Sequence, residues 1–228
     1  MCYNKEVSLL SFILGTIINL SVFIYYKNNI KLRSICIVWQ WVLMMQLSEY
    51  LIWKDQNCGK INKIGTKLAM FFNLTQPIIV YIVLMMITKK SYNMKYIATF
   101  LIILYIVYMI INIKNNKEYT CIKPSEQCTH LNLKWWKDFK NGGIIYCIVL
   151  LAIILLLLKP LSLSLFVFFY ILITLIVSII FYSCGQASMW CFMVVPFPLF
   201  LLIFDNKFYR ILDIQTLLLA QNQLFLKW

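Results

Sequence analysis

The sequence predicts an all-α membrane protein, a bundle of seven transmembrane helices. Hydrophobic residues make up 62% of the 228-residue chain, and a soluble domain of that composition would expose far too much apolar surface. The apolar residues also fall into stretches of about 20 residues, the length that a helix needs to cross a bilayer. The predicted spans are Val7–Tyr26, Ser34–Trp53, Lys67–Thr88, Tyr96–Ile113, Gly143–Leu158, Pro160–Tyr182 and Ser183–Phe204.

Local breaks separate the last three spans from one another. Lys159-Pro160 divides the fifth span from the sixth, because proline cannot continue a helix. Ser183-Cys184-Gly185 divides the sixth span from the seventh. Without this second break, one long bent helix would replace two, and the bundle would have six spans.

The spans predict a single transmembrane domain at residues 1–204, with its one long loop, 114–142, on the N-terminal side of the membrane. In the tail, 205–228, apolar residues three and four positions apart predict a helix on the membrane surface or docked onto the bundle. The chain has no internal repeat strong enough to indicate an inverted-repeat transporter.

The basic residues of the short loops indicate which end of the bundle faces inward. The first and third loops are short, and no acid balances their basic residues, Lys27, Lys31, Arg33, Lys89, Lys90 and Lys95. Loops of this kind stay on the inner side. The N-terminus is therefore predicted outside and the C-terminus inside, although raw lysine counts favour the opposite orientation.

Four of the eight cysteines, Cys2, Cys58, Cys121 and Cys128, lie outside the spans, all on the N-terminal side. An oxidising exterior would permit disulfides among them, and the sequence does not choose among the three pairings. Four reduced thiols are the plainer alternative. In a third interpretation Cys2 is S-acylated, which requires the opposite orientation.

The formal net charge of +13 does not indicate a nucleic-acid-binding protein. The basic residues are scattered at span ends, where they anchor in lipid headgroups and set topology. We therefore expect the lipid bilayer as partner and no nucleic acid. Plasma, internal and viral membranes are not distinguished, although high Lys, Asn and Ile usage is typical of an AT-rich genome.

The second span carries an acid, Glu49, well inside the apolar stretch. Steps of three and four place Glu49 on one helical face with Trp39, Val42, Gln46 and Trp53. A charge inside the bilayer costs several kcal/mol (about 3) unless it is paired, hydrated or protonated, so such residues usually face a bundle interior. The alternative is that Glu49, one turn from Trp53, reaches the headgroups.

Other polar residues are predicted at similar depth: Asn73 and Gln76 in the third span, and Gln186 and Ser188, followed by Trp190, in the seventh. Helical rise places Glu49 and Gln186 at ~5–6 Å from the N-terminal side, and the other amides at ~9–13 Å. These residues predict a polar pocket that opens toward the side carrying the loop cysteines.

The predicted pocket suits a proton, an amine or another small cation, to which Trp39, Trp53 or Trp190 could offer a π face. The alternative is that each amide joins two helices, with a contribution of about 0.6 kcal/mol.

No cofactor and no intramembrane metal are expected, because the only histidine, His130, lies in a loop. Catalytic residues are not predicted, since no nucleophile–base pair can be assembled. Trp135-Trp136, beside lysines, is predicted at the bilayer interface.

Three segments resemble an uncharacterised family of small bacterial and large-virus membrane proteins. They are the opening Met1-Cys2-Tyr3, the run from Gln46 through Glu49 to Trp53, and Ser188-Met-Trp190-Cys191. They are similar to that family's Met-Cys-aromatic start, Gln-x-x-Glu-x-x-x-Trp helix and late Ser-x-Trp-Cys segment. Tyr50 stands where a glycine is expected in bacterial members. The resemblance implies that these positions act together and supplies no activity.

The sequence therefore favours a receptor-like or sensor-like protein that binds a small polar or cationic ligand, or a proton, around Glu49. A transporter or channel that uses Glu49 as a proton or cation site is the main alternative. A structural or assembly protein of a cellular or viral membrane is the third, and an enzyme is not expected. The sequence does not indicate an oligomeric state.

Overall fold

The computed structural model describes residues 4–88, 91–115, 121–124, 130–133, 135, 142–182 and 185–204. Every regular element among these residues is a helix, which confirms the all-α prediction for the part described. The eight helices are α1 Lys5–Tyr25, α2 Ile30–Lys54, α3 Lys60–Ile87, α4 Tyr92–Asn115, α5 Gly142–Leu157, α6 Leu161–Phe181, α7 Gln186–Met193 and α8 Phe197–Phe204.

Five of these helices, α1 to α4 and α6, are long and apolar enough to cross a membrane. The pair α7 and α8 reaches that length only when the two are taken as one bent span, which raises the number to six. Helix α5 has 16 residues, fewer than the ~20 that a typical span needs. The length and composition of these helices indicate a multi-pass, membrane-embedded protein.

The predicted breaks are present, and one further break was not predicted. Helix α5 ends at Leu157 and α6 begins at Leu161, while α6 ends at Phe181 and α7 begins at Gln186. The predicted seventh span is itself interrupted, since α7 and α8 meet at an angle of 42°. Pro196 explains this bend, because its ring and its missing N–H prevent an unbroken helix.

Helix α2 lies at the centre of the bundle and packs against α1, α3 and α7. Its antiparallel pairing with α3 is fixed at the middle of both helices and near the α2–α3 connection. The Trp41 indole donates to the Thr75 hydroxyl at 3.0 Å, and the Asn62 amide donates to the Ile52 carbonyl at 3.2 Å. A Cβ at Gly65 would lie 2.9 Å from the Ile52 nitrogen, so glycine permits this close helix contact.

The two ends of the bundle carry different loops. The cysteine end is the end where α2 finishes and α3 and α7 begin, and it carries a disulfide between Cys58 and Cys121. The lysine end, opposite, is where α1, α3 and α5 finish. At the lysine end the Thr88 hydroxyl donates to the Leu157 carbonyl at 2.9 Å, so α3 and α5 run parallel and finish side by side.

Large apolar side chains cover the outward surfaces of the bundle. Ile17 and Ile24 of α1, Phe100 and Ile103 of α4, and Ile173 of α6 are each more than half exposed. In water such a surface would drive aggregation. In a bilayer it contacts lipid, which supports the membrane-embedded assignment.

Parts of the long loop fold back onto the cysteine end. Ile122, Leu131, Leu133 and Trp135 are all buried, and the disulfide ties this loop to the α2–α3 connection. The predicted interfacial location of Trp135 is wrong, because its side chain is 0% exposed. Its indole N–H finds an acceptor inside the bundle, which makes burial favourable. Trp136, Cys2, Cys128 and the tail 205–228 lie outside the described residues.

Asn62 fixes the loop in place. Its Nδ2 donates to the Ile52 carbonyl at 3.2 Å and to the Ile122 carbonyl at 2.8 Å. Its Oδ1 accepts from the Ile122 N–H and from the Thr66 hydroxyl, each at 3.2 Å. A fully buried asparagine thus satisfies backbone groups of both the loop and α2.

Candidate functional site

Buried polar side chains line the inner faces of α2, α3 and α7. Gln46, Glu49, Asn73 and Ser188 are each 0% exposed, and Gln76 is 5% exposed. Helix α2 supplies Gln46 and Glu49 from one face because they lie three residues apart. Most of the residues predicted to form the site are therefore inside the protein.

These side chains form a column that extends deeper into the bundle than was predicted. The Trp41–Thr75 and Ile52–Gly65 contacts set the register of α2 against α3. By that register Asn73 lies level with Leu43 and Gln76 level with Gln40, about 9 Å and about 13 Å deeper than Glu49. The predicted depths were counted from Lys67, whereas α3 begins at Lys60, so both amides lie further down than expected.

Glu49 lies at the upper, cysteine-end part of this column. Its side chain is enclosed by protein, so it faces neither lipid nor headgroups. It lies within electrostatic range of the Cys191 thiol on α7. Ser188 and Cys191 share one face of α7 at a spacing of three residues, and both are buried. The acid of α2 thus faces a small polar surface on α7.

Trp135 covers the column from the cysteine end. Its Nε1 donates to Oδ1 of Asn73 at 3.1 Å, so the loop reaches below the level of Glu49. Pro77 removes the N–H that would bond to the Asn73 carbonyl. The Tyr105 hydroxyl donates to the next carbonyl, Leu74, at 2.8 Å. A polar group of α4 thus bonds beside the weakened part of α3, while the loop bonds to the Asn73 side chain.

Gln76 marks the lower end of the column. Its Oε1 accepts a hydrogen bond from the Tyr146 hydroxyl of α5. The Tyr146 ring meets the Trp190 ring edge-on, with centroids 5.9 Å apart. Tyr146 was not predicted as a site residue, because it lies in an almost uninterrupted apolar stretch and no spacing rule marks it.

A cavity with a volume of about 50 Å³ begins at Gln76 and extends toward the lysine end. Its walls come from the first half of α2, the second halves of α3 and α5, the first half of α6 and the end of α7. It is lined by Ile35, Val38, Trp39, Val42, Gln76, Val80, Leu84, Leu150, Ile154, Leu158, Val167, Ile171, Trp190, Cys191 and Val194. The predicted pocket opened toward the cysteine end. This cavity extends the other way, because the folded loop fills the cysteine end.

The predicted tryptophans have three different environments. Trp39 is buried, donates to the Val194 carbonyl at 2.7 Å and stacks on Phe197 with centroids 3.8 Å apart. Trp190 donates to the Thr174 hydroxyl at 3.1 Å and lines the cavity. Trp53 is only half-buried and does not line it.

Gln186 lies apart from the column. It is half-buried at the start of α7, and its backbone carbonyl accepts from the Ser178 hydroxyl at 3.0 Å. Its position therefore secures the junction of α6 and α7.

The described residues contain no group of three metal-ligating side chains. His130 packs edge-on against Tyr182 at the cysteine end, with ring centroids 5.6 Å apart. Partial burial there lowers the pKa of His130 below its usual value.

Comparison of this chain with family models, with curated proteins and with solved structures gave no match. The family resemblance described above therefore stays a prediction. Any function must be argued from the site itself.

Proposed function

We propose that this chain is a membrane-embedded binding protein that holds a proton or a small cation at Glu49. The observation that carries the proposal is the complete burial of Glu49, with its carboxyl group in electrostatic range of the Cys191 thiol. A carboxyl group at such depth is stable when it carries a proton or faces a positive charge. A proton or small cation is therefore the ligand class that matches it chemically.

The proposal includes the topology. Seven crossings, with α5 as a short span and α7–α8 as a broken one, place the N-terminus and the Cys58–Cys121 disulfide outside. The disulfide supports this orientation because disulfides persist in oxidising compartments. The unbalanced basic residues Lys27, Lys31 and Arg33 at the lysine end support it through the positive-inside rule.

Transport is the second candidate. The polar column and the cavity lie end to end along the bundle, with Gln76 at their junction. A proton or cation path needs such continuity. Trp135 would have to move for a path to open at the cysteine end, which is why binding is proposed first.

The test uses purified full-length protein in detergent and the same preparation in proteoliposomes. Thermal unfolding is followed with Na⁺, K⁺ or methylammonium added at constant ionic strength. A ligand that binds only the folded state raises the midpoint in proportion to RT ln(1 + [L]/Kd). We expect one of these cations, or a change of pH, to shift the midpoint of the wild type and not that of Glu49→Gln.

Glu6→Gln is the matched control, because it removes an exposed acid at the start of α1 and should behave as wild type. Proton and cation flux through the proteoliposomes then separates the two candidates. Flux that is lost in Glu49→Gln would establish transport in place of simple binding. Identical responses of wild type and Glu49→Gln to every cation and pH would refute both.

A further inference from the structure

The cavity below Gln76 has two features of a ligand site, its shape and a buried hydrogen-bond donor, and neither involves Glu49. Its walls run from Gln76 to Leu84 on α3 and from Leu150 to Leu158 on α5, eight residues in each case, or about 12 Å of helix. A volume of about 50 Å³ over that length describes a narrow slot. Such a slot fits one extended chain better than a bulky ring system.

One buried hydrogen-bond donor, on Gln76, indicates that a molecule bound in the cavity would carry a polar group. Oε1 of Gln76 is occupied by the Tyr146 hydroxyl, whereas Nε2 has no hydrogen-bond partner among the described residues. Gln76 is 5% exposed and lines the cavity. A buried amide N–H without an acceptor is costly, by about 1–3 kcal/mol, so an oxygen acceptor placed there would be bound favourably.

We propose that this slot binds a single-chain amphiphile from the bilayer. An uncharged oxygen, such as that of an alcohol, ketone or ester, would accept from Nε2 of Gln76. The apolar chain would lie between Val80, Leu84 and Leu158. The site does not depend on a proton or cation at Glu49, which is not among its lining residues.

The charge and depth of the slot select this ligand class. No lining residue among those described carries a charge, so an ionic headgroup would be desolvated without compensation. The donor also lies in the middle of the bundle, at the top of the slot. A diacyl lipid would keep its headgroup at the membrane surface, whereas a small neutral oxygen on one chain can be buried at Gln76.

The test is photolabelling of full-length protein in nanodiscs with two medium-chain alcohols. One carries a diazirine on its last carbon and the other carries it beside the hydroxyl. We expect the first to label near Leu84 and Leu158, and the second near Trp190 and Tyr146. Unlabelled alcohol should abolish both labels in the wild type, a readout that depends on no variant.

Three variants sharpen the result. Val80→Phe fills the slot and should reduce saturable labelling about tenfold or more. Ile82→Phe, on the exposed side of the same helix (45% exposed), is its matched control and should label as wild type. Gln76→Leu removes the donor and should weaken binding of the alcohol about two- to tenfold, without weakening binding of the corresponding alkane.

Labelling that no competitor reduces would mean that only surrounding lipid had been labelled, and it would overturn the proposal. Equal labelling of Val80→Phe and Ile82→Phe would overturn it as well. If labelling is saturable but the two probes label each other's expected positions, the slot binds the chain in the opposite direction. That result would reject the role of Gln76.

Discussion

The two halves of the bundle interior are built differently. Toward the cysteine end the interior is polar, with Glu49, Gln46 and Asn73 fully buried beneath Trp135. Toward the lysine end it is apolar and contains a cavity of about 50 Å³. Polar groups inside a membrane protein need partners close by, whereas apolar walls tolerate an empty or lipid-filled space.

Among the described residues, loop segments cover only the cysteine end, and loop length explains this difference. The long loop at the cysteine end contributes Ile122, Leu131, Leu133 and Trp135 to the interior, and a disulfide anchors it. At the lysine end α1 and α2 are joined by residues 26–29, and α5 and α6 by 158–160. Connections this short cannot fold back over the bundle. Access to the interior is therefore expected to differ between the two ends.

Removing the Trp135 side chain, which covers the polar column, should have the largest effect on stability. Trp135→Ala deletes a fully buried side chain and its bond to Asn73, so it should lower the free energy of unfolding by about 3–5 kcal/mol. It should also speed hydrogen–deuterium exchange at the cysteine end of α3 without changing exchange near Leu84. Equal acceleration at both ends would contradict the separation of the two halves.

Opening the disulfide should have the next largest effect. The double variant Cys58→Ser/Cys121→Ser frees a loop closed over a separation of 63 residues and should lower stability by about 2–4 kcal/mol. Denaturation with and without reductant measures the change. Wild type in reductant should match the variant, and a double variant as stable as oxidised wild type would show that Asn62 alone holds the loop.

A pair of enlarging substitutions distinguishes filled from unfilled packing. Ala69 is fully buried in the polar half, so Ala69→Val should cost about 1–3 kcal/mol through overpacking. Val80 lines the cavity, so Val80→Ile should instead add up to about 0.8 kcal/mol by filling space. Thermal unfolding of both in one detergent provides the comparison, and a loss of stability in Val80→Ile as large as that in Ala69→Val would mean that the two halves are packed alike.

The smallest effect is expected for a polar link between two helices. Thr75→Val removes the acceptor of the Trp41 indole and should cost about 0.6 kcal/mol, as interhelical hydrogen bonds in membranes usually do. Leu68→Ile, a half-buried apolar change on the same helix, is the control. A loss above about 2 kcal/mol would show that this contact holds the α2–α3 register and is more than a local link.

Residue patterns predicted the helices better than they predicted the site. Apolar length located the stretches that contain the described helices, although it merged α7 and α8 into one span, and Pro160 and Gly185 marked real breaks, because these are local properties of the chain. The start of α3 at Lys60 was missed, since Lys60 and Lys63 were taken as loop residues and the span was predicted to begin at Lys67. That error placed Asn73 and Gln76 too close to the surface.

The position of Glu49 on an inward face followed from helical spacing, whereas its surroundings did not. Trp135, Tyr146 and Cys191 come from elements far from α2 in the sequence, and only tertiary packing brings them to the column. The paired tryptophans were predicted to lie at the bilayer interface, because the composition of a loop does not show where that loop folds. The cavity likewise arises from the packing of several helices, for which the sequence has no local signal.

The central claim is that Glu49 is the group that takes up a proton or cation inside the bundle. Infrared difference spectroscopy on full-length protein in nanodiscs tests it directly, with pH or cation steps applied to wild type, Glu6→Gln and Glu49→Gln. We predict one carboxyl band that responds in the first two proteins and is missing from Glu49→Gln, in which only the bands of the other Asp and Glu side chains remain. The complete wild-type response in Glu49→Gln, or no carboxyl response in well-folded wild type at any pH or with any cation, would contradict the account.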